Sequence, residues 1–107
     1  MRAVDFIVKH IEENNLTQSQ AAEIAGMSRQ NLWDKLNNRN PRFNTMVLII
    51  DKFGYQVHIV RTDGKPIEFE EAEFFKAAEK QNMYYDSLEA ILISMGYTLK
   101  ISKKADK

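Results

Sequence analysis

The chain has 107 residues, a length that fits one ordinary domain or a very small domain with an appendage. Hydrophobic residues make up 44% of it, without Pro-rich or Ser-rich tracts, so we expect a folded protein. It has no cysteine and only two histidines, which excludes disulfides and thiolate chemistry and argues against a metal site. No apolar run is long enough for a membrane span or a signal peptide, so we expect a cytoplasmic protein with no membrane partner. We also expect no cofactor.

The charge is balanced overall but uneven along the chain. Fifteen basic residues cancel fifteen acidic ones, so net charge alone does not indicate a nucleic-acid partner. Between residues 28 and 42, however, four basic residues stand against Asp34 alone, a local balance of +3. The four are Arg29, Lys35, Arg39 and Arg42. If the chain contacts phosphate, we expect the contact in this segment.

The first 36 residues predict three helices. Apolar residues at helical spacing indicate a first helix that ends near Asn14. Thr17 and Gln20 form a capping-box pattern that starts a second helix at Gln18, and Gly26 suits the left-handed position that ends it. Ser28 is the expected cap of a third helix, which buries Leu32 and Leu36 and exposes Arg29, Gln30 and Asn31.

The rest of the chain predicts a loop, a fourth helix and then a mixed segment. Residues 37–42 form the expected loop, in which Pro41 prevents the third helix from continuing. Asn44 or Thr45 is the expected cap of a fourth helix that runs to Gly54. Strand-like alternation over 56–61, followed by Asp63-Gly64, predicts a β-hairpin. Its return strand would contain Ile67 and Phe69, with Pro66 at the outer edge. Helices over 70–81 and 85–95 and a strand over 97–102 follow, and the residues expected to cover the sheet are Phe74, Phe75, Leu88, Ile91 and Leu92.

One pattern occurs twice. Residues 43–59 recur, 42 residues later, as residues 85–101, and each copy consists of a capped helix, a Gly stop and a strand. Coincidence is the alternative, because helix-Gly-strand patterns are common. If the copies are equivalent, Leu99 and Ile101 match Val57 and Ile59 in phase, so the two strands can pair within one chain or across a two-fold axis.

The segment from Leu16 to Leu32 resembles the helix-turn-helix of the lambda-repressor and Cro family, often called XRE-like. The matching features are Thr-Gln at the start of the second helix, Ala at its centre, Gly in the turn and Ser before the third helix. Helices one and four extend the likeness to about residue 54. The loop Asn-Asn-Arg-Asn-Pro departs from the commoner Glu-Asn-Gly of the family. The resemblance implies a lambda-repressor-like helix-turn-helix bundle. With the elements predicted after residue 54, the expected fold is mainly α with a small antiparallel β element, namely that bundle plus a C-terminal β-hairpin, helix and strand appendage.

The resemblance also implies a DNA-binding surface. Arg29, Gln30 and Asn31 are the base-reading candidates, because Arg suits guanine while Gln and Asn suit adenine. Gln18, beside the backbone N–H groups of the second helix, suits a phosphate contact. Trp33 either stacks on DNA or anchors packing. The complete expected set is Gln18, Ser28, Arg29, Gln30, Asn31, Trp33, Lys35, Asn38, Arg39 and Arg42.

These observations lead to two hypotheses of function. In the first, residues 1–62 form a helix-turn-helix DNA-binding domain and residues 63–107 form a dimerisation appendage, so the protein is a transcriptional regulator that binds an inverted repeat in double-stranded DNA as a homodimer. In the second, the protein is an interaction module whose residues 63–107 bind a protein partner, as in antitoxins or phage-encoded inhibitors. We do not expect an enzyme, because the sequence contains no cysteine, no Gly-rich phosphate loop and no His-Glu-x-x-His motif.

Overall fold

The structure, a computed structural model, describes residues 2–38 and 40–104. These residues form a mainly helical protein with one small antiparallel sheet. Within the two described ranges none of the helices is long and apolar enough to cross a bilayer. In chain order, the elements are α1 (Ala3–Glu13), α2 (Gln18–Ala25), α3 (Arg29–Leu36), α4 (Phe43–Lys52), β1 (Tyr55–Arg61), α5 (Glu71–Lys80), α6 (Tyr85–Ser94) and β2 (Tyr97–Lys103).

The structure confirms the predicted end of α1 near Asn14, the start of α2 at Gln18 and its end at Gly26, and the Ser28 cap of α3. The Thr17 hydroxyl accepts from the Gln20 N–H at 3.1 Å, and the Gln20 side chain accepts from the Thr17 N–H at 2.8 Å, which confirms the capping box of α2. Ser28 Oγ accepts from the Asn31 N–H at 3.1 Å and caps α3. The three helices pack with α4 into a bundle, because each turns an apolar stripe towards a common core.

The predicted cap of α4 is wrong. The helix begins at Phe43, with Arg42 rather than Asn44 or Thr45 at the cap position and no side-chain cap. Backbone pairing with a distant segment explains the difference, because the Phe43 N–H donates to the Met83 carbonyl at 2.7 Å. That bond satisfies one of the N–H groups at the start of the helix that have no acceptor within it. Asn44 Oδ1 instead accepts from the Thr45 N–H at 2.9 Å within the first turn.

The predicted β-hairpin is also wrong. Asp63 and Gly64 do form a turn, but residues 65–70, which include Pro66, Ile67 and Phe69, contain no strand. The Thr62 N–H donates to the Gly96 carbonyl at 3.0 Å, so the backbone beyond β1 is already paired with the segment before β2. Arg61 binds the carboxylates of Asp63 and Glu68 at 2.8 and 3.2 Å, and these contacts fold the connection back across the end of the strand. A long-range partner therefore takes the place of the local return strand.

The internal repeat is confirmed, and it has a simple geometry. β1 and β2 pair antiparallel, with Val57 opposite Ile101 and Ile59 opposite Leu99. Val57 corresponds to Leu99 in the repeat and Ile59 corresponds to Ile101, so the two pairs are equivalent to each other. Equivalent residues face each other at the centre of the ladder, where His58 lies opposite Lys100. The unit α4–β1 is therefore related to the unit α6–β2 by an approximate two-fold axis inside one chain.

Backbone bonds outside the ladder obey the same two-fold relation. The bond from Phe43 to Met83 has its counterpart in the Tyr85 N–H, which donates to the Pro41 carbonyl at 2.9 Å. The bond from Thr62 to Gly96 has its counterpart in the Lys104 N–H, which donates to the Gly54 carbonyl at 3.0 Å. Because each bond recurs 42 residues later in the opposite direction, the repeat is a structural one and not a coincidence of sequence.

One hydrophobic core runs through the described residues. The predicted domain boundary after Thr62 lies just beyond β1, and buried residues on both sides of it belong to the same cluster. Phe43 shows the continuity most directly, since its ring stacks on Tyr85 at 5.8 Å and contacts Phe75 at 5.1 Å between centroids. Ile91, which we expected in this core, is instead 47% exposed and lies beside the covered face of α6.

Candidate nucleic-acid interface

A short turn joins α2 and α3 and sets how closely they approach. Gly26 adopts the left-handed conformation with φ +70°, and the Met27 N–H donates to the Ala22 carbonyl at 3.0 Å. The buried side of α2 is made of Ala21, Ala22 and Ala25. Small side chains allow two helix backbones to pack closely, and the sharp turn then leaves the first turn of α3 on the surface.

The three base-reading candidates share this exposed turn. Arg29, Gln30 and Asn31 are all exposed, as the sequence predicts, while the buried Leu32 and Leu36 fix the opposite face of α3 to the core. Their guanidinium and amide groups combine donors and acceptors in the planar arrangements that contact base edges. The surface therefore presents three adjacent polar side chains with this chemistry at one helix N-terminus.

The start of α2 lies beside the start of α3. Gln18, Ser28, Arg29, Gln30 and Trp33 line one open depression of about 500 Å³. The structure thus brings together five residues of the expected set, from two helices. Unpaired backbone N–H groups at a helix start attract anions, and here two helix starts meet around one concave surface.

Trp33 has a packing role in the structure. Its side chain is half-buried and packs against the hydrophobic core, while part of the ring lines the depression. Within residues 2–38 and 40–104, the indole Nε1 is a buried donor without a hydrogen-bond acceptor. Of the two roles considered for this residue, packing is therefore observed, and the indole fixes the position of α3 relative to the core.

Three other residues of the expected set lie at or beyond the end of α3, with different surroundings. Lys35 is half-buried in the last turn of α3. Asn38 Oδ1 accepts from the Asn40 N–H at 2.9 Å and so stabilises the loop. Arg42 is engaged elsewhere, because its guanidinium donates to the Asn82 carbonyl and lies 4.0 Å above the Tyr84 ring. Arg39 lies outside the described residues.

One residue of the surface was missed by the sequence analysis. Asp34 Oδ1 accepts from the Gln30 Nε2 at 2.9 Å, so this carboxylate orients one of the base-reading candidates. The spacing of four residues on a predicted helix is the signal that could have revealed the pair. Any contact that uses the Gln30 amide must compete with this hydrogen bond, and the Asp34 charge opposes a nearby phosphate.

The turn offers a direct test. Gly26→Ala places a Cβ at φ +70°, where L residues are strained, although no atom lies within 4 Å of the added carbon. We expect the free energy of unfolding to fall by about 1 to 2 kcal/mol, as measured by urea denaturation. Gly26→Asn is the matched variant, since asparagine tolerates the left-handed conformation better, and it should lose less. Equal losses for the two variants would contradict strain as the cause.

In the described part of the chain, no three His, Asp or Glu residues are grouped so that they could hold a metal ion. Comparisons of the chain with protein-family models, with curated proteins and with solved structures find no significant match.

Proposed function

We propose that this protein is a sequence-specific DNA-binding transcriptional regulator built on a lambda-repressor-like helix-turn-helix. The observation that carries the proposal is the first turn of α3, where Arg29, Gln30 and Asn31 are all exposed and the first two lie next to the start of α2. A helix with adjacent polar side chains at its exposed N-terminus fits the major groove, in which base edges carry a distinct pattern of donors and acceptors.

In this proposal α3 reads bases and α2 holds the backbone. Arg29 binds guanine, and the amides of Gln30 and Asn31 bind adenine, each through a pair of hydrogen bonds. Gln18 and the first N–H groups of α2 bind a phosphate oxygen and fix the register. Gln30 exchanges its bond to Asp34 for one to a base, which leaves the pairing energy of this contact smaller than that of a free glutamine.

The proposal includes a homodimer. One helix contacts only a few base pairs, and a chain with fifteen basic and fifteen acidic residues has little long-range attraction for DNA. Two copies related by a two-fold axis contact two half-sites in an inverted repeat, about one helical turn apart. The cytoplasmic location expected from the sequence belongs to the same proposal, because a regulator must share a compartment with its DNA.

The experiment that tests the proposal is selection from a pool of random DNA duplexes. The full chain is incubated with the pool at low salt, and the bound duplexes are sequenced over several rounds. We expect enrichment of a two-fold symmetric sequence, together with an affinity that falls as salt rises. Retention of duplexes without any enriched sequence contradicts specific readout, and no retention at low salt contradicts DNA binding altogether.

A second candidate function rests on a different surface. Ile91, Ile93 and Met95 are 47%, 56% and 60% exposed on and just after α6, and the four-residue spacing places Ile91 and Met95 on one flank of the helix. Such a surface is what a protein-interaction module, of the antitoxin or phage-inhibitor kind, would present to a partner. Failure of the duplex selection would favour this function.

A further inference from the structure

We propose that the cavity between α1, α6 and the sheet binds a small primary amine with an apolar body. The cavity has a volume of about 300 Å³, which is at the lower end of the range for ligand sites. The residues that line it include Ala3 and Phe6 of α1, Leu99 and Ile101 of β2, and Tyr85 and Glu89 of α6. None of the cavity residues belongs to the candidate nucleic-acid interface, so this site is independent of DNA binding.

Tyr85 brings a hydroxyl group without a partner to this cavity. The residue is only 2% exposed, so its ring is almost completely buried. Within residues 2–38 and 40–104 the hydroxyl forms no hydrogen bond, and Trp33 Nε1 is the only side-chain nitrogen or oxygen that is fully enclosed without a partner. The Tyr85 hydroxyl therefore keeps some accessible surface, which opens into the cavity that the residue lines. Polar groups this deep in a protein are almost always hydrogen-bonded, so the arrangement points to a ligand.

The internal two-fold axis shows that packing does not require this hydroxyl. Phe43 of the α4 unit (α4–β1) occupies the position of Tyr85 in the α6 unit (α6–β2), and it is 0% exposed without any polar side-chain atom. One turn later, the α4 unit has Val47 where the α6 unit has Glu89. Val47 packs against the core as an ordinary apolar residue. The α6 unit thus differs from its apolar counterpart by two polar groups, and both of them line the same cavity.

The second polar group is a carboxylate without a cation. Glu89 is half-buried, and although Lys100 also lines the cavity, no cation of the described residues lies within ion-pair distance of the Glu89 carboxylate. The neighbouring Asp86 differs, because it forms an ion pair with Arg2 at 3.4 Å. Burial raises the pKa of the Tyr85 hydroxyl, and the carboxylates of Glu89 and Asp86 raise it further. These carboxylates make the electrostatic potential at the hydroxyl negative, which favours a cationic ligand.

A protonated primary amine supplies what both groups lack. Tyr85 and Glu89 are four residues apart on α6, so they face the same side and can contact one ammonium group. The ammonium donates one hydrogen bond to the Glu89 carboxylate and another to the Tyr85 hydroxyl oxygen. A charge-assisted bond of this kind is stronger than the bond that water or an alcohol can form. Phe6, Leu99 and Ile101 then contact the apolar body of the amine, and the volume of the cavity limits that body to a single ring or a short alkyl chain.

Nuclear magnetic resonance tests the class of ligand. The ¹⁵N-labelled full chain is titrated with 2-phenylethylamine, hexylamine and cyclohexylmethylamine, and with the neutral alcohol of the same skeleton in each case. We expect at least one amine to shift the amide signals of Leu99 and Ile101 until they saturate, and its alcohol to bind roughly tenfold more weakly. Equal affinities within every amine and alcohol pair, or no saturable shift with any of the amines, overturns the proposal.

Glu89→Gln tests the ionic contact. The substitution keeps the size of the side chain and removes its charge, so the affinity for the amine should fall roughly tenfold or more. Glu79→Gln is the matched control, because Glu79 is an exposed carboxylate of α5 that does not line the cavity, and this variant should bind the amine as the wild type does. If the two variants bind the amine equally well, Glu89 does not recognise the cation and the proposal fails.

Tyr85→Phe separates binding from stability. The substitution reproduces the residue that the α4 unit has at this position and removes a buried polar group without a partner, so the free protein should be at least as stable in urea as the wild type. The affinity for the amine should nevertheless fall about two- to tenfold, because one hydrogen bond is lost. A role in packing alone predicts the reverse, namely lower stability with unchanged affinity. Unchanged affinity would overturn the assignment of the hydroxyl to the ligand.

Discussion

Replacing Phe43 by alanine is expected to lower the free energy of unfolding by about 3 to 5 kcal/mol. Phe43 is completely buried, and its ring lies between Phe75 of α5 and Tyr85 of α6. The substitution leaves a cavity where the α4 unit meets the rest of the chain, and the rings around it cannot collapse without moving both helices. Urea denaturation of the full chain, followed by circular dichroism, measures the loss.

Leu48→Ala provides the control on the same helix. Its side chain is 52% exposed, so the change in the free energy of unfolding should stay within about 0.5 kcal/mol. The shape of the transition carries further information. Because the core is continuous, we expect one cooperative transition in both variants. Two separate transitions in Phe43→Ala, with only one of them shifted, would show that residues 1–62 and 63–107 fold independently.

The sequence was most informative where a structural signal involves neighbouring residues. The Thr17–Gln20 capping box, the left-handed Gly26 and the Ser28 cap are each complete within a few positions, so their physical causes are visible in the sequence. The same holds for the exposed turn of α3, because the spacing of Leu32 and Leu36 fixes which face is buried.

Partners that are distant in sequence account for the errors. Asp63-Gly64 is a strong local hairpin signal, yet β1 pairs with a strand some 40 residues away, because the second repeat unit offers a complete ladder. The start of α4 moved for the same reason, through the bond from Phe43 to Met83. No local pattern states which of several possible long-range partners a backbone segment will find.

The candidate site shows the same division. Exposure of Gln30 and Asn31 follows from helical periodicity, whereas the engagement of Arg42 with Tyr84 depends on two positions 42 residues apart that the fold brings together. Basic residues that are close together in the sequence are therefore not all close together in the structure. Arg29 and Lys35 are the basic residues of the segment 28–42 that lie on α3 itself.

Replacing Gln30 and Asn31 together by alanine is expected to remove most of the sequence discrimination. Each bidentate contact to a base contributes about 1 to 3 kcal/mol, and the Gln30 contact contributes less because it replaces the bond to Asp34, so the double variant should lose roughly 10-fold or more in preference for the selected duplex over an unrelated one. Both side chains are exposed, so the fold should be retained, and alanine is a better helix former than either. Competition binding with the selected duplex and a scrambled duplex measures the ratio.

Lys35→Ala is the matched control, because a lysine near the phosphate backbone of DNA should position the protein without selecting a base sequence. It should weaken binding to both duplexes alike and reduce the dependence of log affinity on log salt by about one unit, whereas the double variant should leave this slope unchanged. The double variant removes no charge, so its loss should be confined to the ratio of the two affinities. A double variant that keeps the full preference would show that bases are read elsewhere. One that loses both affinities equally would place Gln30 and Asn31 on the phosphate backbone instead.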